Sequence, residues 1–388
     1  MLQPRSGVLE ILSDMYDFRH AAHRNPQTAF EETFISGAVC KKLDEWDIAH
    51  ECGIATTGVV ATIQNGEGPT IGLRADMDAL NIVETSGVPW SSQHFGKMHA
   101  CGHDGHTAIL LAALYTLNKE RNFKGTIKGI FQPGEEGARG AERMIDDGVL
   151  ERHPMDFIYA LHNWPALPEG QIAIHEREVM ACADYYKIRL RGAGGHAGTP
   201  YRANNVIKGL PVALTAIADL AHENAVVETT VLDFGTPNSP NVIKSKGLIT
   251  GTVRTFSDED REAIKKALKT TIPELLKPLN LKVAVKYMKG PNPTINTPEE
   301  AALCRDVAKA VFGSDHVHWN LPPEKTAEDF GVFLKRIPGA YLWLGQSKGE
   351  GHPSHYGLHN PHYDFNDDII AGGAEFLAAL VERKLRTK

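Results

Sequence analysis

Metal-ligating side chains are concentrated in one short run of this 388-residue sequence. The run H-A-C-G-H-D-G-H, residues 99–106, holds three histidines, one cysteine and one aspartate in eight positions. Imidazole, thiolate and carboxylate are the groups that bind zinc and other first-row divalent ions. Cys101 and His103 stand two residues apart around a glycine, so both side chains can face one ion. We therefore predict a metal site in this run.

The same kinds of ligand recur in four other segments, at Asp76, Asp78, Glu135, Glu136, His162 and His359. A lone pair of glutamates is usually a solvated surface feature. Here an apolar run precedes the pair, and Gly and Pro surround it, which favours a functional role. Neighbouring side chains of an extended segment point to opposite sides. One glutamate can then bind a metal while the other faces the water above it.

Strands and helices alternate around these segments. The apolar runs T-I-G-L-R-A-D-M-D-A, G-T-I-K-G-I-F-Q-P and M-D-F-I-Y-A-L-H-N-W-P predict strands buried on both faces, the second stopped at Pro133 and the third at Pro165. A helix is predicted after the metal-ligand run, and an amphipathic helix over residues 7–22. This alternation predicts an α/β domain with a mostly parallel sheet. Ligands of such sheets bind beyond the carboxyl ends of the strands, where the polar segments are expected to converge.

A second pattern occupies residues 183–295. Its predicted order is β-α-β-β-α-β, as in the ferredoxin-like α+β unit, with a helix from about Asn205 to His222 and another starting at Ser257. We therefore predict a catalytic domain formed by 1–182 and 296–388, with 183–295 inserted into it.

Composition narrows the function classes. The net charge of −7 disfavours a nucleic-acid-binding protein. The apolar runs are too short for a membrane span, and the first residues lack the pattern of a secretory signal. The cysteines are odd in number and unpaired in spacing, which argues against a disulfide framework and favours the cytoplasm. They are Cys40, Cys52, Cys101, Cys182 and Cys304.

Longer motifs around these residues resemble the metal-dependent aminoacylase/carboxypeptidase superfamily. They include R-A-D-M-D-A-L-N-I-V-E, H-A-C-G-H-D-G-H-T, F-Q-P-G-E-E-G, G-G-H-A-G-T-P and L-H-N-P-H-Y-D-F-N-D. The resemblance covers nearly the whole chain and is greatest to the amidohydrolase branch of hippurate hydrolases, N-acyl-L-amino-acid amidohydrolases and plant auxin-conjugate hydrolases. Gly134 stands where that branch usually has alanine, and Asn81 where it usually has proline.

The resemblance implies a zinc-peptidase-like catalytic domain with two divalent ions, and an inserted domain that acts as a lid and in dimerisation. Thiolate favours zinc, while carboxylate and imidazole also suit manganese, cobalt or nickel. The implied metal ligands are Cys101, His103, Glu136, His162 and His359.

The resemblance also implies the remaining roles. Glu135 is the general base, and Asp78 orients a metal ligand. His196 reaches the active site of a neighbouring subunit and polarises the scissile carbonyl, while Asn241 and Arg254 bind the substrate carboxylate. The implied reaction is hydrolysis of hippurate-like or N-acetyl amino acids by a water that bridges the two ions, in a homodimer or homotetramer.

Three alternatives differ in their consequences. A cysteine hydrolase would use Cys101 as nucleophile beside His103 or His106, and would resist chelators. A dipeptidase or carboxypeptidase of the same superfamily would share the metal site and differ in substrate. A metal-binding or partner-binding module without catalysis is disfavoured, because such a module has no use for a general base at Glu135.

Overall fold

The computed structural model describes residues 3–235 and 239–386, which form two compact units. The first unit comprises Met1–Val179, Ile295–Pro323 and Asp329–Lys388, and the second comprises Met180–Thr294 and Glu324–Glu328. The sequence had assigned residues 324–328 to the catalytic domain, which was wrong. The backbone N–H of Ala181 donates to the carbonyl oxygens of Glu324 and Thr326, both at 3.0 Å, so this segment pairs with the start of the second unit.

The α-helices of the described residues are α1 Ser6–Arg24, α2 Thr33–Glu45, α3 His103–Glu120, α4 Gly140–Asp146, α5 Val149–Arg152, α6 Leu210–Ala218, α7 Asp258–Leu276, α8 Pro298–Phe312, α9 Gly331–Leu334 and α10 Ile369–Lys384. The buried apolar residues of α1 follow the three-to-four-residue period of an amphipathic helix, as predicted. Among these helices, none combines the length and the apolar character needed to cross a membrane.

The strands of the described residues are β1 Ala49–Ile54, β2 Gly58–Asn65, β3 Thr70–Asp76, β4 Gly125–Gln132, β5 Phe157–Pro168, β6 Ile172–Ile174, β7 Glu178–Met180, β8 Asp184–Arg191, β9 Gly195–His196, β10 Ala225–Asp233, β11 Val242–Ile243, β12 Lys246–Thr255, β13 Lys282–Met288, β14 Thr294–Ile295, β15 Val317–Trp319 and β16 Gly339–Ser347. Most of them belong to one large sheet in the first unit and one smaller sheet in the second.

The large sheet has the strand order β1-β2-β4-β3-β5-β16-β6-β15. Its central strands β4, β3, β5 and β16 run parallel to one another, as the alternation of strands and helices predicted. Strand β3 is buried from Ile71 to Asp76, and β16 from Gly339 to Gln346. Burial of consecutive residues means that both faces of these strands are covered, which explains their continuous apolar sequences.

The parallel strands bring the polar segments to one edge of the large sheet. Strand β3 ends at Asp76, and β4 ends at Gln132, immediately before the Pro-Gly-Glu-Glu loop. Arg74 of β3 pairs with Ala160 of β5, which places His162 at the level of Asp76. The carboxyl ends of these strands therefore supply side chains to a common region.

Strand β5 differs from the prediction that Pro165 would end it. The strand continues to Pro168, and its pairing with β16 passes from Trp164↔Gly345 to Pro168↔Ser347 through a shift in register. Proline has no N–H to donate to a neighbouring strand. The shift leaves Pro165 outside the regular pairing, so the strand continues beyond it.

The second unit contains an antiparallel sheet in the order β10-β12-β8-β13, with α6 and α7 contributing to its core. Ser257 caps α7 as predicted, since its hydroxyl accepts the backbone N–H of Asp260 at 3.0 Å. The helix expected from about Asn205 to His222 is shorter, because a 3-10 turn over Val206–Gly209 precedes α6.

The expectation that the cysteines are unpaired was wrong for two of them. Cys40 of α2 and Cys52 of β1 form a disulfide, with their Cα atoms 7.0 Å apart. Their spacing in sequence gave no sign of this pairing, which depends on the packing of the helix beside the strand. Cys101, Cys182 and Cys304 are free and buried.

Candidate active site

Two buried carboxylates hold the loop that follows β4. The carboxylate of Asp78 accepts the backbone N–H groups of Glu135 and Glu136, each at 2.9 Å. The carboxylate of Glu32 accepts the N–H of Gly134, also at 2.9 Å. Three successive N–H groups are thereby fixed by charge-assisted hydrogen bonds, which are among the stronger ones in proteins. The side chains of Glu135 and Glu136 consequently start from a fixed backbone.

The turn between Cys101 and His103 requires glycine at its centre. Gly102 adopts φ of +88°, in the left-handed region. A Cβ atom at this position would lie 2.5 Å from both the Asn163 side-chain oxygen and the Tyr363 hydroxyl oxygen. Glycine thus allows the chain to turn against these two side chains directly before α3 begins at His103.

We expect Gly102→Ala to disturb this turn. The left-handed backbone and the contacts of the added methyl group should together cost about 2 kcal/mol or more of unfolding free energy. Displacement of two metal ligands by about 1 Å should lower turnover about 100-fold. Denaturant unfolding and steady-state kinetics measure the two effects. Gly357→Ala is the matched control, because a Cβ there meets nothing within 4 Å. Wild-type stability and turnover in Gly102→Ala would contradict the assignment.

The structure brings the five predicted metal ligands together. Three groups of side chains have ligand atoms within 4.8 Å of one another, and the groups share members. Glu136 belongs to two of them, and so does His103, so the groups form one continuous cluster. Their members are Cys101, Glu136 and His359; His103, Glu135 and Glu136; and Asp76, His103, His106 and His162.

The cluster fits a divalent cation on its own geometry. Neither ring nitrogen of the fully buried His103 has a hydrogen-bond partner. The nearest carboxylate oxygens, from Asp78 and Asp76, lie 3.4 and 3.6 Å from these nitrogens. Buried polar groups are nearly always paired, so an unpaired imidazole among carboxylates indicates that a ligand belongs there. Thiolate, imidazole and carboxylate donors together suit zinc or a related ion.

Electrostatics separate the roles of three buried groups. Burial and the neighbouring His106 lower the pKa of His162 well below its usual value. Burial alone would lower the pKa of His103 as well, but Asp76 and Asp78 outweigh it and raise that pKa to about 10. Burial, reinforced by Glu136, raises the pKa of the Cys101 thiol far above normal. Because a protonated thiol is a poor nucleophile, this environment disfavours a cysteine hydrolase.

Asp76 and His106 were not assigned roles by the resemblance, yet they are part of the cluster. The Nδ1 atom of His106 lies 2.6 Å from a carboxylate oxygen of Asp76. Its Nε2 atom accepts the backbone N–H of Asn163 at 3.0 Å. With both nitrogens engaged, His106 supports Asp76 and β5. The spacing of His103 and His106 was the available signal, because residues three apart share one face of a helix.

The predicted substrate-contacting residues belong to the second unit. His196 lies in β9, which pairs with β11 through Val242. The N–H of Ala197 donates to the carbonyl oxygen of Asn241 at 2.8 Å, so the segments that contain His196 and Asn241 are neighbours. Arg254 lies on β12 opposite Val226. The contacts of these residues with substrate stay predictions.

Comparisons with known proteins agree with this geometry. The family model for Peptidase family M20/M25/M40 matches residues 72–383. A hippurate hydrolase of Campylobacter jejuni is 32% identical over 98% of this chain and 98% of its own length. An N-acetyl-L-cysteine deacetylase of Bacillus subtilis is 34% identical over 95% of this chain and 87% of its own. A dinuclear metal-binding peptidase of Bacillus subtilis has a similar structure, with a TM-score of 0.85, 28% identity, and coverage of 98% of this chain and 100% of that one.

Proposed function

Because this chain belongs to Peptidase family M20/M25/M40, we propose that it hydrolyses N-acyl amino acids to a carboxylic acid and a free amino acid. Like the hydrolases and deacetylases it resembles, it acts on amide bonds. The observation that carries the proposal is the continuous cluster around His103, whose two ring nitrogens have no hydrogen-bond partner.

Five side chains would hold two divalent ions in this proposal: Cys101, His103, Glu136, His162 and His359. The ions would be zinc, or manganese, cobalt or nickel. Bound there, such ions would make a water molecule acidic and polarise the scissile carbonyl. The structural likeness to a protein described as dinuclear supports the number of ions.

The chain's own groups supply the proton transfers. Glu135, next to the ligand Glu136, takes a proton from the attacking water and later delivers it to the leaving amine. Its backbone N–H is held by Asp78, which keeps the carboxylate in position. Asp78 also lies 3.4 Å from His103 and so orients that ligand. The base and the ligands are thereby positioned by one carboxylate.

Residues of the second unit would recognise the substrate. His196 would donate a hydrogen bond to the developing oxyanion, a contribution often worth about 3 kcal/mol. Arg254 offers a planar pair of donors for the carboxylate of the amino acid, and Asn241 a further contact. In this proposal the second unit acts as lid and dimerisation domain, His196 serves a neighbouring subunit, and the protein is a cytoplasmic homodimer or homotetramer.

A turnover screen tests the proposed function. The purified protein, reconstituted with Zn²⁺, Mn²⁺, Co²⁺ or Ni²⁺, is given N-acetyl, N-benzoyl and indole-acetyl amino acids and a set of dipeptides, with amine release as the readout. We expect release from N-acyl amino acids, loss of activity with a chelator, and recovery on return of the metal. Faster turnover of dipeptides would replace the proposal with a dipeptidase. Full activity in the chelator, abolished by thiol alkylation, would replace it with a cysteine hydrolase.

A further inference from the structure

A second group of metal-ligating side chains lies on α2 and β1. Cys40, His50 and Cys52 each place a ligand atom within 4.8 Å of the other two. His50 and Cys52 are two residues apart on β1, so their side chains project from the same face of the strand. Cys40 faces them from α2 and is joined to Cys52 by the disulfide. None of these residues belongs to the catalytic cluster.

His50 is oriented in the way that is usual for a histidine ligand. Its Nδ1 atom lies 2.9 Å from the carbonyl oxygen of Ile48, which makes Nδ1 the protonated nitrogen. The lone pair of Nε2 is then available to a cation. A carboxylate oxygen of Asp44 lies 3.8 Å from Nε2 and offers a fourth ligand. Two thiolates, one imidazole and an oxygen form a donor set that suits Zn²⁺.

We propose that Cys40, His50 and Cys52 form a second, redox-controlled metal site, which binds Zn²⁺ when the cysteines are reduced and is closed by their disulfide. The proposal is independent of the proposed function. A dithiol reductant supplies two electrons and two protons, the S–S bond breaks, and the reductant becomes a disulfide. Zn²⁺ then displaces the protons of the two thiols, and both are released to solvent.

The backbone geometry suits both states. The Cα atoms of Cys40 and Cys52 are 7.0 Å apart, beyond the separation of about 4.4–6.8 Å usual in disulfides. Two thiolates bound to one zinc at about 2.3 Å each lie about 3.8 Å apart, so opening the disulfide requires only a small movement. Cys52 is exposed and Cys40 is partly exposed, so reductant and ion can reach both. In either state α2 stays linked to β1.

Zinc binding by oxidised and reduced protein tests this site. The full-length protein is oxidised with glutathione disulfide or reduced with a dithiol, freed of reductant, equilibrated with Zn²⁺ against a weak chelator, and analysed for metal by mass spectrometry. Cys52→Ser and His50→Ala remove one ligand each, and His222→Ala is the matched control at an exposed histidine of the second unit. Thiols are counted in parallel after denaturation without reductant.

We expect reduced wild-type protein and His222→Ala to bind one more Zn²⁺ per chain than either does when oxidised. Reduced Cys52→Ser should match oxidised wild type, and reduced His50→Ala should bind the extra ion at least 10-fold more weakly. Three free thiols are expected in the oxidised chain and five in the reduced chain. Equal zinc content in reduced wild type and reduced Cys52→Ser would overturn the metal site. Five thiols after treatment with glutathione disulfide would overturn the redox control.

Discussion

Glu135→Gln is expected to lower turnover about 1,000-fold while leaving the metal content unchanged. Glutamine keeps the shape of the side chain and the backbone N–H bond to Asp78, but its amide cannot accept the proton of the attacking water. General base catalysis typically contributes about 10²–10⁴-fold to a rate. Steady-state kinetics on the best substrate of the screen, together with metal analysis of the same preparation, measures both quantities.

Glu142→Gln provides the matched control for this substitution. Glu142 lies in α4 and forms an ion pair with Arg139, outside the catalytic cluster. Its substitution should leave turnover within about twofold of wild type, because surface ion pairs contribute little energy. Retention of more than a tenth of wild-type turnover by Glu135→Gln, with full metal content, would remove Glu135 from the role of base.

His103→Ala should have the larger effect on the metal centre. His103 belongs to both the group with Glu136 and the group with His162, so its removal takes a donor from the middle of the cluster. Asp76 and Asp78 would also lose their nearest cationic partner. We expect metal content to fall by at least one ion per chain and turnover to fall below detection. Metal analysis after dialysis and the same kinetic assay are the measurements.

The control for this second prediction is His94→Ala, since His94 is exposed and outside the cluster. This variant should keep its metal and its turnover. If His103→Ala retained two ions and turned over substrate at the wild-type rate, the unpaired imidazole would have another explanation, and the proposed metal centre would lose its central ligand.

Much of the arrangement of the site could be predicted from the sequence. The family is confirmed, and so is the sheet whose central strands are parallel. Apolar runs followed by Asp76, Pro133 and His162 predicted side chains at one edge, because the carboxyl ends of parallel strands meet there. Cys101 and His103 could be paired from their spacing alone. These signals are local in sequence, or follow from a general rule about sheets.

The supporting contacts could not be predicted in this way. The acceptance of two backbone N–H groups by Asp78 depends on how the loop curls after β4, 57 residues further along the chain. The bond between Glu32 and Gly134 joins groups 102 residues apart. The Cys40–Cys52 disulfide likewise depends on the packing of α2 beside β1. Each contact is set by tertiary structure, and no local pattern of residues announces it.

Anomalous X-ray diffraction from crystals of the zinc-reconstituted protein tests the metal centre most directly. We predict two strong peaks at the zinc absorption edge, each within about 2.0–2.3 Å of donor atoms from Cys101, His103, Glu136, His162 and His359. An absence of peaks among these five side chains, in a preparation that hydrolyses N-acyl amino acids, would contradict the account.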